Sequence, residues 1–326
     1  MSLRISKAGL LDTIQDPGRY GYQHQGINPG GAMDCFSAGL ANALLGKSLE
    51  APVLELHFPA AQILFQKPVI VCLTGADFSP AINGQQIPLH RPVAIKENSL
   101  LTFVGQPRGA RCYLALANAL NLEPWLNSFS TNLKAGAGGY NGRSLQKGDE
   151  LPFETISFQT NKELVHLPWR YNAVENATNK IEFLPGPEWN WLTEKSQSDF
   201  LNNTFTITPS SDRMGYRLQG EKLAQATTEQ LISSPVNFGT VQLLPNGQLI
   251  VLMADHQTSG GYPRIANIIS AHLPRVAQRT AGDEINFVAT TIDAAEEKST
   301  TLQNSLVQLQ NTCKLKLQNW LQSHTV

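Results

Sequence analysis

Short apolar runs separated by turn residues fill most of the chain, and few stretches carry a helical period. Leu3–Leu11 reads as an opening strand that runs into a turn-rich segment, Asp12–Tyr22, carrying Asp16 and Arg19. After Gly30-Gly31, Asp34 can cap a helix whose Phe36, Leu40 and Leu44 recur every four positions, and Gly46 falls at its C′ position. From Pro52 to Val104 the runs shorten to strand length: Val53–Leu56, Ala61–Phe65, Val69–Leu73, Val93–Ile95 and Leu100–Val104. Asn83-Gly84 between extended runs signals a hairpin. Cys112–Ala117 continues the series, and the Gly-rich interval Lys134–Arg143 reads as a connector or a loop covering a ligand. Residues Gln159–Ala177 read as a linker between lobes.

The second half opens with a strand, Ile181–Leu184, and Pro185-Gly186-Pro187 then introduces a helix over Glu188–Leu201. Strands follow at Phe205–Thr208, Asn237–Leu244, Leu249–Ala254 and Glu284–Ala289. From Ala294 the period changes: Leu302, Leu306, Leu309, Cys313, Leu317 and Trp320 fall at three- and four-residue steps, as in a closing helix packed on the body. The halves parallel each other, with Arg19-Tyr20-Gly21-Tyr22 matched by Arg213-Met214-Gly215-Tyr216, and Val69–Asp77 by Leu249–Asp255. No strand–helix–strand alternation supports a parallel α/β sheet. The expected fold is mainly β, in two β-rich lobes at residues 1–165 and 178–293, with a C-terminal helix over 294–326.

Composition narrows the function. A net charge of −1 gives no field that calls for nucleic acid or an anionic membrane. Charged residues make up only 16%, which points to surface buried against a partner. Cys35, Cys72, Cys112 and Cys313 have no metal-binding spacing with the histidines, so no metal is expected, and Cys72 and Cys112 sit in apolar runs as reduced core residues. The first residues lack an apolar signal region and no stretch approaches a membrane span, so the expected address is the cytoplasm. Gly39–Ser48 ends in Gly46-Lys47-Ser48 like a phosphate-binding loop, but Ala41 stands where glycine is needed and the segment reads as helix.

The stretch richest in chemistry is Leu249–Pro263, LIVLMADHQTSGGYP. A buried apolar strand stops at an acid, followed by amide, hydroxyl and paired glycines. That is one way to hold polar side chains and approachable backbone N–H groups against a ligand. The same residues equally fit a plain strand-closing turn.

Several segments together resemble subunit 2 of the biotin-dependent carboxyltransferase family, which includes allophanate hydrolase subunit 2, KipA and the C subunit of bacterial 5-oxoprolinase. They are Thr13–Arg19, Gly30–Asp34, Gly142-Arg143 with Gly148-Asp149, Ser211–Arg217, Ala254-Asp255 with Gln257-Thr258, and Gly260–Pro263. The resemblance implies a cyclophilin-like β-barrel architecture and work in a complex with a smaller companion subunit. Its first functional expectation is a subunit of ATP-dependent 5-oxoprolinase, which opens 5-oxoproline to glutamate. The companions would be a KipI-like chain, akin to the B subunit of such an enzyme, and a third chain akin to its A subunit. The alternatives are a carboxyltransferase moving CO2 from carboxybiotin to urea or a related amide, and a non-enzymatic regulator of a kinase inhibitor. No Met-Lys-Met sequence is present, so biotin is not expected on this chain, and without a phosphate-binding loop or ATP-grasp region ATP, if used, is expected to be handled by another subunit.

Both enzymatic expectations centre on a small amide substrate, its weakly nucleophilic nitrogen and its carbonyl. Such chemistry needs an acceptor for N–H and donors aimed at a developing oxyanion. Asp255, Gln257 and Thr258 are the candidates for catalysis, with Asp255 accepting from the substrate N–H. Gly260 and Gly261 can offer backbone N–H groups, Tyr262 completes the turn, and Arg213 or Arg217 can hold a carboxylate bidentately. The arginines fit equally well in a structural ion pair with Asp212 or Asp16, and Asp16 with Arg19 reads as structural.

Overall fold

A computed structural model of the chain describes residues 2–105, 108–158, 162–173 and 178–324. It divides into two compact units. The first comprises Met1–Gly18, Asp34–Val174 and Gln303–Val326, and the second Arg19–Met33 and Glu175–Leu302. Among the described residues no helix is long and apolar enough to cross a membrane.

The first unit is built from two six-stranded antiparallel sheets. One contains Ser2–Lys7, Gln62–Phe65, Pro80–Ile82, Gln85–Gln86, Ser99–Phe103 and Glu150–Pro152. The other contains Thr13–Gln15, Val53–His57, Val69–Asp77, Val93–Ile95, Arg108–Leu116 and Leu164–His166. Leu3, Ile5, Ile63 and Phe65 from one sheet meet Leu54, Leu56, Val71 and Leu114 from the other in a single apolar core. Val69–Leu73 reads as continuously apolar because the other face of its strand, Val69–Asp77, lies under the helix Cys35–Leu44. Asp34 caps that helix, its carboxylate accepting from the Ser37 N–H at 2.8 Å, and Gly46 ends it at φ +64°. Asn83 and Gly84 both have positive φ, 48° and 83°, as the two-residue hairpin between Pro80–Ile82 and Gln85–Gln86 requires.

The second unit is a closed seven-stranded barrel. Around it run Lys180–Pro185, Arg264–Ile268, Thr240–Leu243, Leu249–Leu252, Gly215–Gln219, Phe205–Ile207 and Glu284–Ala289. The last strand pairs in parallel with the first, Ile181 opposite Phe287, and this closes the barrel. Phe183, Phe200, Phe205 and Phe287 fill the core, Phe200 stacking on Phe287 with centroids 4.4 Å apart. Met33, fully buried, belongs to the same core, which ties the segment Arg19–Met33 to the barrel.

Several elements differ from the sequence reading. Leu3–Leu11 ends as a strand at Lys7, and the segment expected to be turns supplies a further strand, Thr13–Gln15. The second helix begins at Glu194, not Glu188, because Trp189–Trp191 forms a 3-10 turn and Thr193 provides the cap, its hydroxyl accepting from the Ser196 N–H. Of the expected linker, residues 159–161 and 174–177 lie outside the described residues. The part between them holds the strand Leu164–His166, paired with Val93–Ile95, and a buried Trp169 whose indole N–H donates to the Leu44 carbonyl. The parallel between the halves does not extend to topology: one unit is two sheets and the other a closed barrel. The tail is a 31-residue helix, Ile292–Gln322, that buries Leu306, Cys313, Leu317 and Trp320.

Candidate functional site

The barrel strand Leu249–Leu252 is flanked by Gly215–Gln219 and Thr240–Leu243, so its backbone is fixed on both sides. Pairing continues past its end: Met253 N–H donates to the Met214 carbonyl at 3.0 Å and Asp255 N–H to the Arg213 carbonyl at 2.8 Å. Asp212 tightens the opposing turn by accepting from the Met214 and Gly215 N–H groups at 2.8 and 3.2 Å. These bonds bring the acid after one strand and the arginine before the other side by side.

The two form a bidentate ion pair. Arg213 Nε donates to Asp255 Oδ2 at 2.8 Å and Nη2 to Oδ1 at 3.0 Å. The arginine side chain is 5% exposed and the aspartate 17%. Arg213 Nη2 also donates to the Gly31 carbonyl at 2.6 Å, so the same guanidinium holds the glycine pair of the segment Arg19–Met33. Gly30 adopts φ +63°, and a Cβ there would lie 3.2 Å from Arg19 Nη1 and 3.7 Å from Asp255 Oδ1. Arg19, Gly30, Gly31, Arg213 and Asp255 therefore converge. Arg213 thus pairs with the candidate site acid itself. Asp16 instead accepts within the first unit from Ser128 Oγ, Ser130 Oγ and the Phe129 and Gly18 N–H groups.

The remaining residues of the stretch are spread out. His256 is buried, and its Nδ1 lies 2.6 Å from the Gln257 carbonyl, so Nδ1 carries the proton. Burial keeps this ring below its ordinary pKa, against the Gln257 carbonyl and the Asp255 charge, which pull the other way. Gln257 is exposed and Thr258 half-buried. Ser259–Gly260 pairs with Ser234–Pro235 in a two-stranded ribbon, extended by the Val236 N–H donating to the Thr258 carbonyl at 3.2 Å. This register commits the Gly260 N–H to the Ser234 carbonyl, so, contrary to expectation, Gly260 does not offer it to a ligand, and the Gly261 N–H points away from the ribbon partner. Gly260 is buried, and a Cβ on it would meet Gln242 Nε2 at 2.6 Å and Gln257 Nε2 at 3.1 Å, so no larger residue fits without movement. Gly261 and Tyr262 are exposed. Arg217 points outward from the strand Gly215–Gln219, opposite Ile250, and does not join the Asp255 cluster.

Three groups escaped the sequence reading. Arg19 reads from the sequence as structural with Asp16, yet it lies against Gly30 on the side of Asp255. Gln242 is a buried amide in an otherwise apolar stretch of strand, and nothing in its sequence surroundings marks it. The third is the bidentate pair of Arg264 and Glu188: Nε to Oε2 at 2.9 Å and Nη2 to Oε1 at 2.8 Å. Burial alone would push the Glu188 carboxyl up, but the bonds from Arg264 hold it below the usual carboxylate range.

Residues 25–289 match the model of a family described as carboxyltransferase domain, subdomain A and B. The chain belongs to that family. It is 37% identical over 298 residues to the C subunit of 5-oxoprolinase from Escherichia coli K12, covering 90% of this chain and 93% of the relative. The corresponding 5-oxoprolinase chain of Haemophilus influenzae is 35% identical, with 87% and 89% covered. Among solved structures, that of the Kluyveromyces lactis urea amidolyase superposes with a TM-score of 0.87 at 25% identity, over 94% of this chain but 20% of that one. The mainly β barrel fold is thus that of the carboxyltransferase family, as the resemblance implied. Their naming as one lettered subunit among others marks the bacterial relatives as parts of a larger assembly.

Proposed function

We propose that this chain is the C subunit of a 5-oxoprolinase, which opens the ring amide of 5-oxoproline to give glutamate, and that it acts only with companion subunits. The observation that carries this reading is the end-to-end match to the bacterial 5-oxoprolinase chains, 93% of the Escherichia coli relative being covered. The urea amidolyase of Saccharomyces cerevisiae is matched over only 16% of its length, so the similarity spans nearly all of the first kind of protein and a small part of the second. In this reading the cytoplasm is the site of action. One companion corresponds to the B subunit of such an enzyme and the other to its A subunit.

The chemistry proposed for the barrel end follows from its groups. Arg213 occupies both oxygens of Asp255, yet each carboxylate oxygen keeps a second lone pair that can accept the ring N–H of the substrate. The backbone N–H of Gly261 suits the carbonyl oxygen as it gains charge, with Gln257 and Thr258 supplying further polar contacts and Tyr262 a wall. Because Arg213 is committed to Asp255 and Gly31, the substrate carboxylate falls to another group, and Arg217 is too far along its strand to serve the same cluster. ATP does not fit this chain's own lysine and glycine pattern: Gly39 lies within a helix, and the half-buried Lys47 has its ammonium donating to the Leu116 carbonyl at 2.7 Å. Its use belongs to a companion.

Co-purification with the two companion chains, followed by ATP-dependent glutamate release from 5-oxoproline, tests the proposal. Glutamate formation that requires all the chains is expected. Its absence, together with carboxyl transfer from carboxybiotin to urea, would replace this reading with the carboxyltransferase alternative that the urea amidolyase fold favours.

A further inference from the structure

The turn Ser259–Tyr262 that carries the proposed oxyanion donor, the Gly261 N–H, has few side chains of its own, so something else must fix it. Beneath it, the strands Thr240–Leu243 and Arg264–Ile268 pair with a register shift: Val241 opposes Ala266, but Gln242 opposes Arg264, leaving Ile265 as an extra residue. Such a bulge re-aims side chains and is frequent beside functional sites. Here it sets Gln242 and Arg264 opposite one another, and each reaches a different part of the ribbon. Gln242 Nε2 donates to the Tyr262 carbonyl at 3.3 Å and lies against Gly260. Arg264 Nη1 donates to the Pro235 carbonyl at 3.0 Å, opposite Ser259.

Arg264 is itself fixed. Glu188 takes its Nε and Nη2 and also its backbone N–H, at 2.9 Å. Glu188 is delivered by Pro185-Gly186-Pro187, where Gly186 N–H donates to the Ile265 carbonyl at 2.9 Å. A Cβ on Gly186 would sit 2.0 Å from the Arg264 carbonyl oxygen, so only glycine allows this approach. Two polar systems, a buried amide and an ion pair, thus converge from the barrel wall on one exposed turn. A purely apolar wall of the same volume would fill the barrel as well, so the polar choice calls for a reason beyond packing.

We infer that Gln242 and the Glu188–Arg264 pair are positioning residues that hold the Ser259–Gly260 ribbon and so aim the backbone N–H of Gly261 at the substrate carbonyl. This rests on the proposed 5-oxoprolinase reaction for its activity readout. Misplacement of an oxyanion donor by about an ångström costs on the order of 100-fold in rate.

The test uses the full chain with Gln242→Met, which keeps the volume and removes the donor, and Arg264→Lys, which keeps the charge but loses the fork. In the reconstituted complex each variant should lower kcat per folded complex by about 10- to 100-fold. KM for 5-oxoproline should stay within about threefold, as expected for donors used mainly in the transition state. Arg264→Met should be worse than Arg264→Lys. In parallel, hydrogen exchange at the Gly260 amide of the isolated chain, which pairing with Ser234 protects, should speed up by about tenfold or more, with exchange in Leu249–Leu252 unchanged. Wild-type kcat per folded complex, or unaltered exchange in the turn, would overturn the inference. A wild-type complex that releases no glutamate would refute the function, and the exchange rates would then decide the positioning.

Discussion

At the scale of single residues, the ion pair of Arg213 and Asp255 changes what a substitution at Asp255 would do. From the sequence, Asp255→Asn should leave folding untouched and remove only an acceptor. With Arg213 almost wholly buried against it, the amide also takes the negative charge out of this bidentate pair. Removing one partner of such a pair costs about 3–5 kcal/mol when fully buried, and the partial exposure of Asp255 reduces this to about 2–3 kcal/mol. Asp255→Asn should therefore lower both stability in urea and turnover. Turnover per folded complex should fall by about 100-fold; if that normalised rate is wild-type, Asp255 serves the fold alone. A second residue-scale prediction concerns His272. Its Nδ1 accepts the Glu182 N–H at 2.9 Å, and burial, reinforced by Arg275, lowers its pKa to about 4. A histidine with a depressed pKa adds stability that is present above its unfolded value of about 6.5 and is lost as pH falls through about 4. Between those limits acid should remove up to about 3 kcal/mol. His272→Asn keeps an acceptor without titrating, so its unfolding free energy should be flatter over that range.

At the scale of elements, the long helix Ile292–Gln322 and the short helix Cys35–Leu44 meet at a glycine. The Gly46 that ends the short helix has φ +64°, and a Cβ there would lie 2.4 Å from Lys314 Cα. The glycine is legible in the sequence as a helix terminator, while its closeness to another backbone is a tertiary fact. Gly46→Ala incurs both the left-handed strain and the overlap, about 2–4 kcal/mol together. Chemical denaturation should show that loss, whereas Gly84→Ala, with open space around it, should lose only the part due to φ.

At the scale of the whole molecule, the division into units is not colinear with the chain. Met33 is buried in the barrel core and the Gly31 carbonyl is bound by Arg213, although both belong to a segment that precedes most of the other unit. A boundary drawn at residue 178 would leave the barrel without them. Loss of a buried methionine alone costs about 2–5 kcal/mol. A fragment of residues 178–302 should accordingly show no cooperative thermal transition by circular dichroism, while the full chain does; a sharp melt of the fragment would show that residues 19–33 are dispensable to the barrel.

Much of this protein was legible in its sequence because the relevant physics is local. Short apolar runs between turn residues marked the strands, Asp34 and Gly46 bracketed the first helix, Asn83-Gly84 marked a hairpin, and the three-four spacing after Ala294 marked the closing helix. The family, too, was readable from its motifs. What the sequence did not determine is pairing between distant residues. Barrel closure depends on a parallel match between Lys180–Pro185 and Glu284–Ala289, which no local pattern encodes. Arg213 pairs with an acid 42 residues away, the candidate site acid itself. Gln242 and Arg264 face each other only because one residue bulges from a strand. Such contacts depend on register and on which groups burial leaves in need of hydrogen bonds, and these are set when the whole chain packs.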